Sequence, residues 1–229
     1  MKVQIRFGVL VSAGIALLLT VPFTTTAQNA REAGLIPLFN GKNLDGWVYG
    51  TREGKENKVG RGYQVEGGII FCTAEDGGNL YTEKEYGDFI FRFDFRLEAN
   101  SNNGIGIRAP LEGNAAYAGM EIQVLDDSGS DYVSLRPVQY HGSIYDVVPA
   151  KRGSLRHVGE WNSEEIVAEG RRITVILNGN TIVDANLDDI VDPETLKKHP
   201  GLAQTAGHIG FLGHGTRVEF RNILIKPLP

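Results

Sequence analysis

The sequence predicts an all-β fold in which strands pair antiparallel and pack as a sandwich or barrel. Short runs of alternating apolar and polar residues recur between clusters of Gly, Asn and Asp, and 29 of the 229 residues are glycine. Apolar residues at helical spacing are nearly absent after Gln28. We expect one short helix at most, within residues 188–199, where Pro193 suits a first helical turn.

The clearest predicted strand covers residues 88–97, where Phe89, Phe91, Phe93 and Phe95 alternate with polar residues. A face made of four phenylalanines must lie in the core. The same alternation predicts further strands, which cover residues 63–72 with a break at 67–68, 104–108, 120–125, 165–169, 173–177, 181–184 and two strands within 207–226.

Two short signals predict how these strands are connected and shaped. Asn178-Gly179 is a strong signal for a hairpin with a type I′ turn, because both residues tolerate a positive φ. At Arg221-Asn222 the apolar residues of the last strand change parity, which predicts a β-bulge. With no repeat, linker or change of composition, residues 34–229 are expected to form one domain.

The first 27 residues have the pattern of a cleavable signal peptide. Lys2 and Arg6 precede an apolar run at residues 7–21, and small residues end at Ala27. Gln28 and not Cys follows the cleavage site, so lipoprotein attachment is excluded. We therefore expect a periplasmic or secreted protein that has no membrane contact after cleavage.

Charge and cysteine content narrow the classes of partner. Without Lys2 and Arg6, the 23 basic residues become 21 against 28 acidic ones, a formal charge of −7 that makes nucleic acid a poor partner. Cys72, the one cysteine, lies between apolar residues and is expected to pack as a small hydrophobe. No pair of histidines has metal-ligand spacing, so no metal site or other cofactor is predicted, although assistance by a divalent metal stays open.

Two predicted strands place polar groups on a face that solvation alone does not require. In residues 104–108 the glycines and Arg108 share one face, and glycines inside a strand often mark the close approach of a ligand. In residues 120–125, Glu121 and Gln123 lie opposite the apolar positions. If the strands are neighbours, Arg108, Glu121 and Gln123 converge on a glycine floor that suits a hydroxyl-rich ligand; otherwise they form an exposed cross-strand pair.

Loop residues at strand ends supply further candidates. His141 and His214 each stand beside Gly, and Tyr145 follows His141 closely. The acidic loop 126–131 departs from the EF-hand pattern, because Pro137 stands where the twelfth-position Glu belongs.

Taken in order, these motifs resemble the 3-keto-disaccharide hydrolase family. The resemblance extends over about residues 35–226. The matching segments are residues 38–47, 86–89, 103–108, 121–125, 159–162, 177–179, 210–215 and 220–223.

The resemblance implies a concanavalin A-like jelly-roll sandwich of two antiparallel sheets that acts on an oligosaccharide or glycoside oxidised at C3. A C3 ketone acidifies the hydrogen on C2, so a base can remove that proton and the C1 substituent can leave by elimination before water adds. On this sequence the resemblance makes Glu121 the base and Arg108 the enolate stabiliser. His141, Tyr145 or His214 is then the acid.

The residues expected to contact the substrate are Gln123, Asn103, Gly106, Asp146 and Trp161. The sequence departs from the family pattern at Leu212, where relatives commonly carry Gln, and at Asp146, where Gly often follows the Tyr.

Two other functions fit the same architecture. A non-catalytic carbohydrate-binding module shares this fold, and fold does not fix function. A conventional glycoside hydrolase would place two carboxylates across the scissile bond, whereas Gln123 stands where a second acid beside Glu121 would be expected.

Overall fold

The structure is a computed structural model that describes Met1 and residues 34–50, 62–73 and 78–229. Apart from Met1, the predicted signal peptide, residues 1–27, lies outside the described residues. The strands are β1 (Ile36–Pro37), β2 (Trp47–Gly50), β3 (Tyr63–Glu66), β4 (Ile69–Cys72), β5 (Gly78–Tyr86), β6 (Phe89–Leu97), β7 (Asn102–Ala109), β8 (Met120–Leu125), β9 (Trp161–Glu169), β10 (Arg172–Leu177), β11 (Asn180–Asn186), β12 (Gly207–Gly213) and β13 (Val218–Pro227).

The described strands form two antiparallel sheets. The large sheet has the order β11-β10-β9-β6-β13-β4-β3, with β1 also paired to β13, and the small sheet has the order β2-β5-β12-β7-β8. Every phenylalanine of the predicted ladder in β6 is fully buried. The predicted all-β sandwich is confirmed.

The two sheets share one core, since apolar side chains of both inner faces pack together. Phe211 of β12 stacks on Phe220 of β13 with ring centroids 4.0 Å apart. Cys72 is fully buried in the same core, as the sequence predicts, and burial raises the pKa of its thiol to about 11.

The predicted turn, break and bulge are also present. Asn178 and Gly179 have φ of 50° and 84°, the positive values of a type I′ turn between β10 and β11. The break at residues 67–68 is the turn between β3 and β4. The pairing of β13 with β6 shifts register between Arg221 and Leu224, where the bulge was expected.

Helices are few and short in the described part of the chain. The predicted helix is α2 (Pro193–Lys198), which begins after Asp192; the Asp192 side chain accepts from Thr195 N. The sequence did not predict the four-residue helix α1 (Ala115–Ala118) between β7 and β8. Its position matters, because α1 forms one wall of the pocket described next.

Candidate functional site

The pocket lies on the outer face of the small sheet, which points away from the core. Strands β7 and β8 are neighbours, as the sequence interpretation required, with Gly104 opposite Gln123 and Gly106 opposite Glu121. Ile105 and Ile122, opposite each other between these pairs, point into the core. Glu121 and Gln123 therefore project from the floor of the pocket.

Two walls rise from this floor. Helix α1 follows β7, and the Asn114 side chain begins it by accepting from Ala116 N at 3.1 Å. The second wall is the long connection from β8 to β9, which returns along the edge of β8. Ile144 bridges to Ile122, and Tyr145 N donates to the carbonyl oxygen of Glu121 at 2.8 Å.

The cavity between floor and walls has a volume of about 150 Å³. Its lining is rich in amide and hydroxyl groups, which suit a sugar ring. The lining residues are Asn79, Asn102, Asn114, Ala115, Ala116, Tyr117, Glu121, Gln123, Leu125, Tyr132, Leu135, Gln139, Tyr145, Leu212 and His214.

Glu121 is the one carboxylate among the described residues that line this pocket, and only 6 % of the residue is exposed. Its side chain lies over Gly104. A Cβ at Gly104 would overlap Glu121 Oε1 and stand 2.7 Å from Cδ and 2.8 Å from Cγ. The glycine thus provides the space that the carboxylate occupies.

Gln123 and Tyr132 meet around Asn102. Gln123 Nε2 donates to Asn102 Oδ1 at 3.1 Å, while Gln123 Oε1 has no hydrogen-bond partner in the described part of the chain. Burial raises the pKa of Tyr132, although a hydrogen bond with Asn102 opposes the effect. This end of the pocket therefore presents neutral donors and acceptors.

Tyr145 and Gln139 face each other on the wall formed by the β8–β9 connection. Gln139 Nε2 donates to Tyr145 Oη at 3.0 Å, and both residues line the pocket.

Four of the sequence-predicted site residues are brought together in this pocket: Glu121, Gln123, Tyr145 and His214. They come from β8, from the connection after it and from the end of β12. Their catalytic and binding roles stay predictions.

The structure places Arg108, the predicted enolate stabiliser, outside the pocket. Arg108, next to last in β7, has a φ of 46°. Its fully buried guanidinium donates to the carbonyl oxygens of Gly87, Gly170 and Gln204 and to Asp88. Burial lowers the pKa of Arg108, and the charge of Asp88 opposes that shift. The guanidinium is committed to loop carbonyls and does not line the pocket.

His141, one of the predicted candidate acids, lies in the core. Its ring packs on Phe95, Nδ1 accepts from Leu125 N at 3.3 Å, and Nε2 lies 3.1 Å from Glu164 Oε2. Because Nδ1 accepts, the ring hydrogen is on Nε2, which makes no hydrogen bond with the fully buried Glu164 despite the short distance. The imidazole is held between the sheets and does not line the pocket.

Asp146 and Trp161 are not placed to contact a ligand in the pocket. The Asp146 carboxylate forms ion pairs with Arg136 and Lys198 behind the Tyr145 wall. Trp161 lies on the outer face of the large sheet, where the guanidinium of Arg221 stacks 3.8 Å from its ring. The structure does not bring these two predicted substrate contacts into the pocket.

Asn103 and Gly106, which are also predicted substrate contacts, lie outside the pocket as well. Asn103 is fully buried, and its Nδ2 donates to Tyr63 Oη at 3.1 Å. Gly106 is covered, since a Cβ there would lie 3.2 Å from Leu212 Cδ2 and 3.3 Å from Tyr81 Cε1. Neither residue lines the pocket.

Several lining residues were missed by the sequence interpretation. Asn102 has the same parity as Gly104, so the alternation of β7 was sufficient to select it over Asn103. Asn79, Asn114 and Gln139 carried no such signal, because their strand or turn was not predicted.

Within Met1 and residues 34–50, 62–73 and 78–229, no group of three or more His, Cys, Asp or Glu side chains is arranged to hold a metal ion. None of the helices in these residues has both the length and the apolar character needed to cross a membrane.

Known proteins are similar in sequence to this chain over most of its length. Residues 34–226 match the family model of the 3-keto-alpha-glucoside-1,2-lyase-like domain. A 3-keto-disaccharide hydrolase of Bacteroides thetaiotaomicron is 24% identical over 233 residues, which cover 85% of this chain and 79% of that protein.

Solved structures show the same architecture. A candidate glycosyl hydrolase from Parabacteroides distasonis is 26% identical with a TM-score of 0.72, covering 88% of this chain and 97% of that one. A β-glucanase of Bacillus licheniformis, 13% identical with a TM-score of 0.52, covers 85% of this chain and 97% of its own and shares the fold.

Proposed function

The chain belongs to the 3-keto-alpha-glucoside-1,2-lyase-like domain family, and on that premise we propose that it cleaves glycosides whose sugar is oxidised at C3. The observation that carries the proposal is the single carboxylate, Glu121, in a described pocket lining that otherwise offers amide, hydroxyl, imidazole and apolar groups. One base among neutral donors suits elimination beside a ketone.

The proposed chemistry begins at C2. Glu121 removes the C2 proton, which the C3 ketone has made acidic, and the electron pair moves towards the ketone oxygen. The C1 substituent then leaves with a proton from Tyr145 or His214, and water adds to the resulting enone. The net reaction is hydrolysis.

With Arg108 outside the pocket, the enolate oxygen would be stabilised by neutral donors. Amide groups of Asn79, Asn102 and Asn114 line the same space. Preorganised donors in a site with little water stabilise developing charge without a full cation.

A conventional glycoside hydrolase is less well supported. Retaining and inverting enzymes typically use two carboxyl groups, about 5–9.5 Å apart. Glu121 is the one carboxylate among the described residues that line this pocket. A carbohydrate-binding module would need no base. The experiment below distinguishes such a module from an enzyme.

The test is turnover of a 3-keto-glucoside and of its unoxidised parent, with release of the aglycone followed by mass spectrometry. We expect release from the keto sugar alone. Glu121→Gln keeps the shape of the side chain and removes the base, so the rate should fall at least ~10²-fold.

Glu112→Gln is the matched control, because Glu112 is exposed and does not line the pocket. Its rate should stay within about twofold of the wild-type rate. Binding of either sugar without turnover would favour a binding module, and turnover of the parent sugar would favour a conventional hydrolase.

We also propose that the protein acts in the periplasm or outside the cell. This proposal rests on the signal-peptide pattern of residues 1–27. Signal-peptidase cleavage after Ala27, read by N-terminal sequencing of the exported protein, tests it.

A further inference from the structure

The segment from Arg136 to Asp146 is held by hydrogen bonds within itself. Gln139 N donates to Arg136 O at 2.9 Å, and Asp146 N donates to Val138 O at 2.9 Å. The segment is also fixed to the floor of the pocket, since Tyr145 N donates to Glu121 O. The position of Tyr145 relative to Glu121 is thus set by backbone hydrogen bonds.

The side chain of Gln139 has one allowed orientation in this segment. Its Oε1 accepts from Arg136 N at 3.2 Å, and a backbone N–H can only donate. The amide oxygen must therefore face Arg136, so Nε2 faces Tyr145 Oη at 3.0 Å.

This orientation determines the hydrogen bonding of Tyr145. An amide nitrogen can only donate, so the Tyr145 oxygen accepts and its own hydrogen is directed elsewhere. Tyr145 lines the pocket beside Glu121. A ligand oxygen in the pocket is then available to receive that hydrogen.

We propose that Gln139 is a positioning residue that holds Tyr145 as a hydrogen donor towards the pocket, and that Tyr145 is the acid of the elimination. The inference rests on the proposed function, and it selects Tyr145 over His214. Gln139 itself transfers no proton.

The proton balance is complete with two residues. Glu121 takes the C2 proton, the C2 electron pair forms the C1=C2 bond, and the C1–O bond breaks as its oxygen takes the Tyr145 proton. In hydration, water oxygen bonds to C1 and its proton returns to the Tyr145 phenolate, while Glu121 returns its proton to C2. Both residues end in their starting states.

Gln139→Glu is the informative variant. One carboxylate oxygen keeps the bond from Arg136 N, and the other now accepts from Tyr145, which diverts the phenol hydrogen from the pocket. Gln139→Met removes the amide without adding charge, and Tyr145→Phe removes the proton. Gln64→Glu, at an exposed position of β3, controls for the added charge.

The readout is single-turnover release of two aglycones from 3-keto-glucosides. Methoxide needs a proton to leave, whereas 4-nitrophenolate does not. We expect Gln139→Glu and Tyr145→Phe to slow methanol release at least ~10²-fold and nitrophenolate release by less than about tenfold. Gln139→Met should also slow methanol release more than nitrophenolate release, but by smaller factors. Gln64→Glu should release both aglycones at the wild-type rate.

Equal slowing of both aglycones by Gln139→Glu would overturn the inference, because added charge or lost structure acts on both. A Tyr145→Phe variant that releases methanol at the wild-type rate would also overturn it.

A second measurement separates this inference from the proposed function. The Raman doublet of tyrosine changes its intensity ratio between accepting and donating phenols, and subtraction of the Tyr145→Phe spectrum isolates Tyr145. The doublet should change from an accepting to a donating ratio in Gln139→Glu. If the wild-type protein cleaves no 3-keto-glycoside, the proposed function fails, while an unchanged doublet contradicts the positioning by Gln139.

Discussion

Gly104 and Glu121 share one small volume on the pocket floor, because the carboxylate lies where a side chain at residue 104 would be. We expect Gly104→Ala to displace the carboxylate and to lower turnover of a 3-keto-glucoside by roughly 10²-fold, since small misplacements of a catalytic group are costly. The φ of Gly104 is not in the left-handed region, so the backbone accepts alanine.

Gly106→Ala is the matched control on the same strand face. Its Cβ would lie 3.2 Å from Leu212 Cδ2 and 3.3 Å from Tyr81 Cε1, and Glu121 is not among its three nearest contacts. Steady-state kinetics and thermal unfolding of both variants check the prediction. Equal kinetic losses in the two variants, or loss of folding in Gly104→Ala, would contradict it.

Parity along a strand accounts for what was and was not predictable at single residues. Alternation correctly placed Glu121 and Gln123 outside the core, because their neighbours are apolar. Arg108 has the parity of the pocket face, yet its positive φ at the end of β7 turns the chain and buries the guanidinium under three loops. A backbone change of this kind leaves no trace in the alternation.

At the scale of elements, Arg108 joins the turn before β6, the turn between β9 and β10 and the segment before β12. It donates to one carbonyl oxygen of each and pairs with Asp88 at 2.9 Å. Arg108→Met removes the buried guanidinium that donates to these acceptors. We expect the free energy of unfolding to fall by about 2–3 kcal/mol in urea titrations.

Arg92→Met provides the comparison, because Arg92 pairs with Glu165 on the exposed face of β6. This substitution should lower the free energy of unfolding by less than about 1 kcal/mol. The pocket should bind ligand normally in any folded Arg108→Met protein. A loss of stability no larger than that of Arg92→Met would show that Arg108 does not hold the loops together.

Elements with a local signal were predictable, and elements stabilised by their neighbours were not. The phenylalanine ladder of β6 and the Asn178-Gly179 turn are encoded in a few adjacent residues. By contrast, β5 ends in a charged run and α1 has only four residues, so packing from the small sheet and the pocket wall decides their structure. Both elements supply pocket residues, which explains why Asn79 and Asn114 were missed.

At the scale of the whole molecule, alternation shows which side chains are buried but not which sheet a strand joins. Strand β6 pairs with β9 and β13, which are distant in sequence, whereas β7 and β8 pair locally. The shared core then brings the two sheets together through contacts such as Phe211 with Phe220. The local pairing of β7 with β8 explains why the positions of Glu121 and Gln123 in the pocket were predictable. The pocket residues of β5 and β12 depend on long-range pairing.

Two ion-paired carboxylates on opposite faces of the sandwich determine how the molecule should respond to acid. Burial raises the pKa of Asp146, but hydrogen bonds from Lys198 and Arg136 outweigh burial and hold that pKa below its ordinary value of 3.8. For Glu219, burial is likewise outweighed by Arg217 and Arg96, so its pKa lies below 4.5. A lowered folded-state pKa means that stability is present above the unfolded pKa and is lost as the pH falls through the folded pKa.

We therefore expect the free energy of unfolding contributed by these two groups to be constant above about pH 5 and to decrease below about pH 4.

Asp146→Asn and Glu219→Gln should each lower the free energy of unfolding by about 1–3 kcal/mol at pH 7, and the difference from wild type should shrink to less than half at pH 3. Asp45→Asn, at an exposed loop position, controls for the general effect of charge. Since Asp146 and Glu219 share no ion-pair partner, the double variant should show the sum of the single losses in urea unfolding at each pH. A difference from wild type that stays constant from pH 7 to pH 3 would mean that the ion pairs do not stabilise the fold, because protonation of the wild-type carboxylates removes only what the pairs contribute.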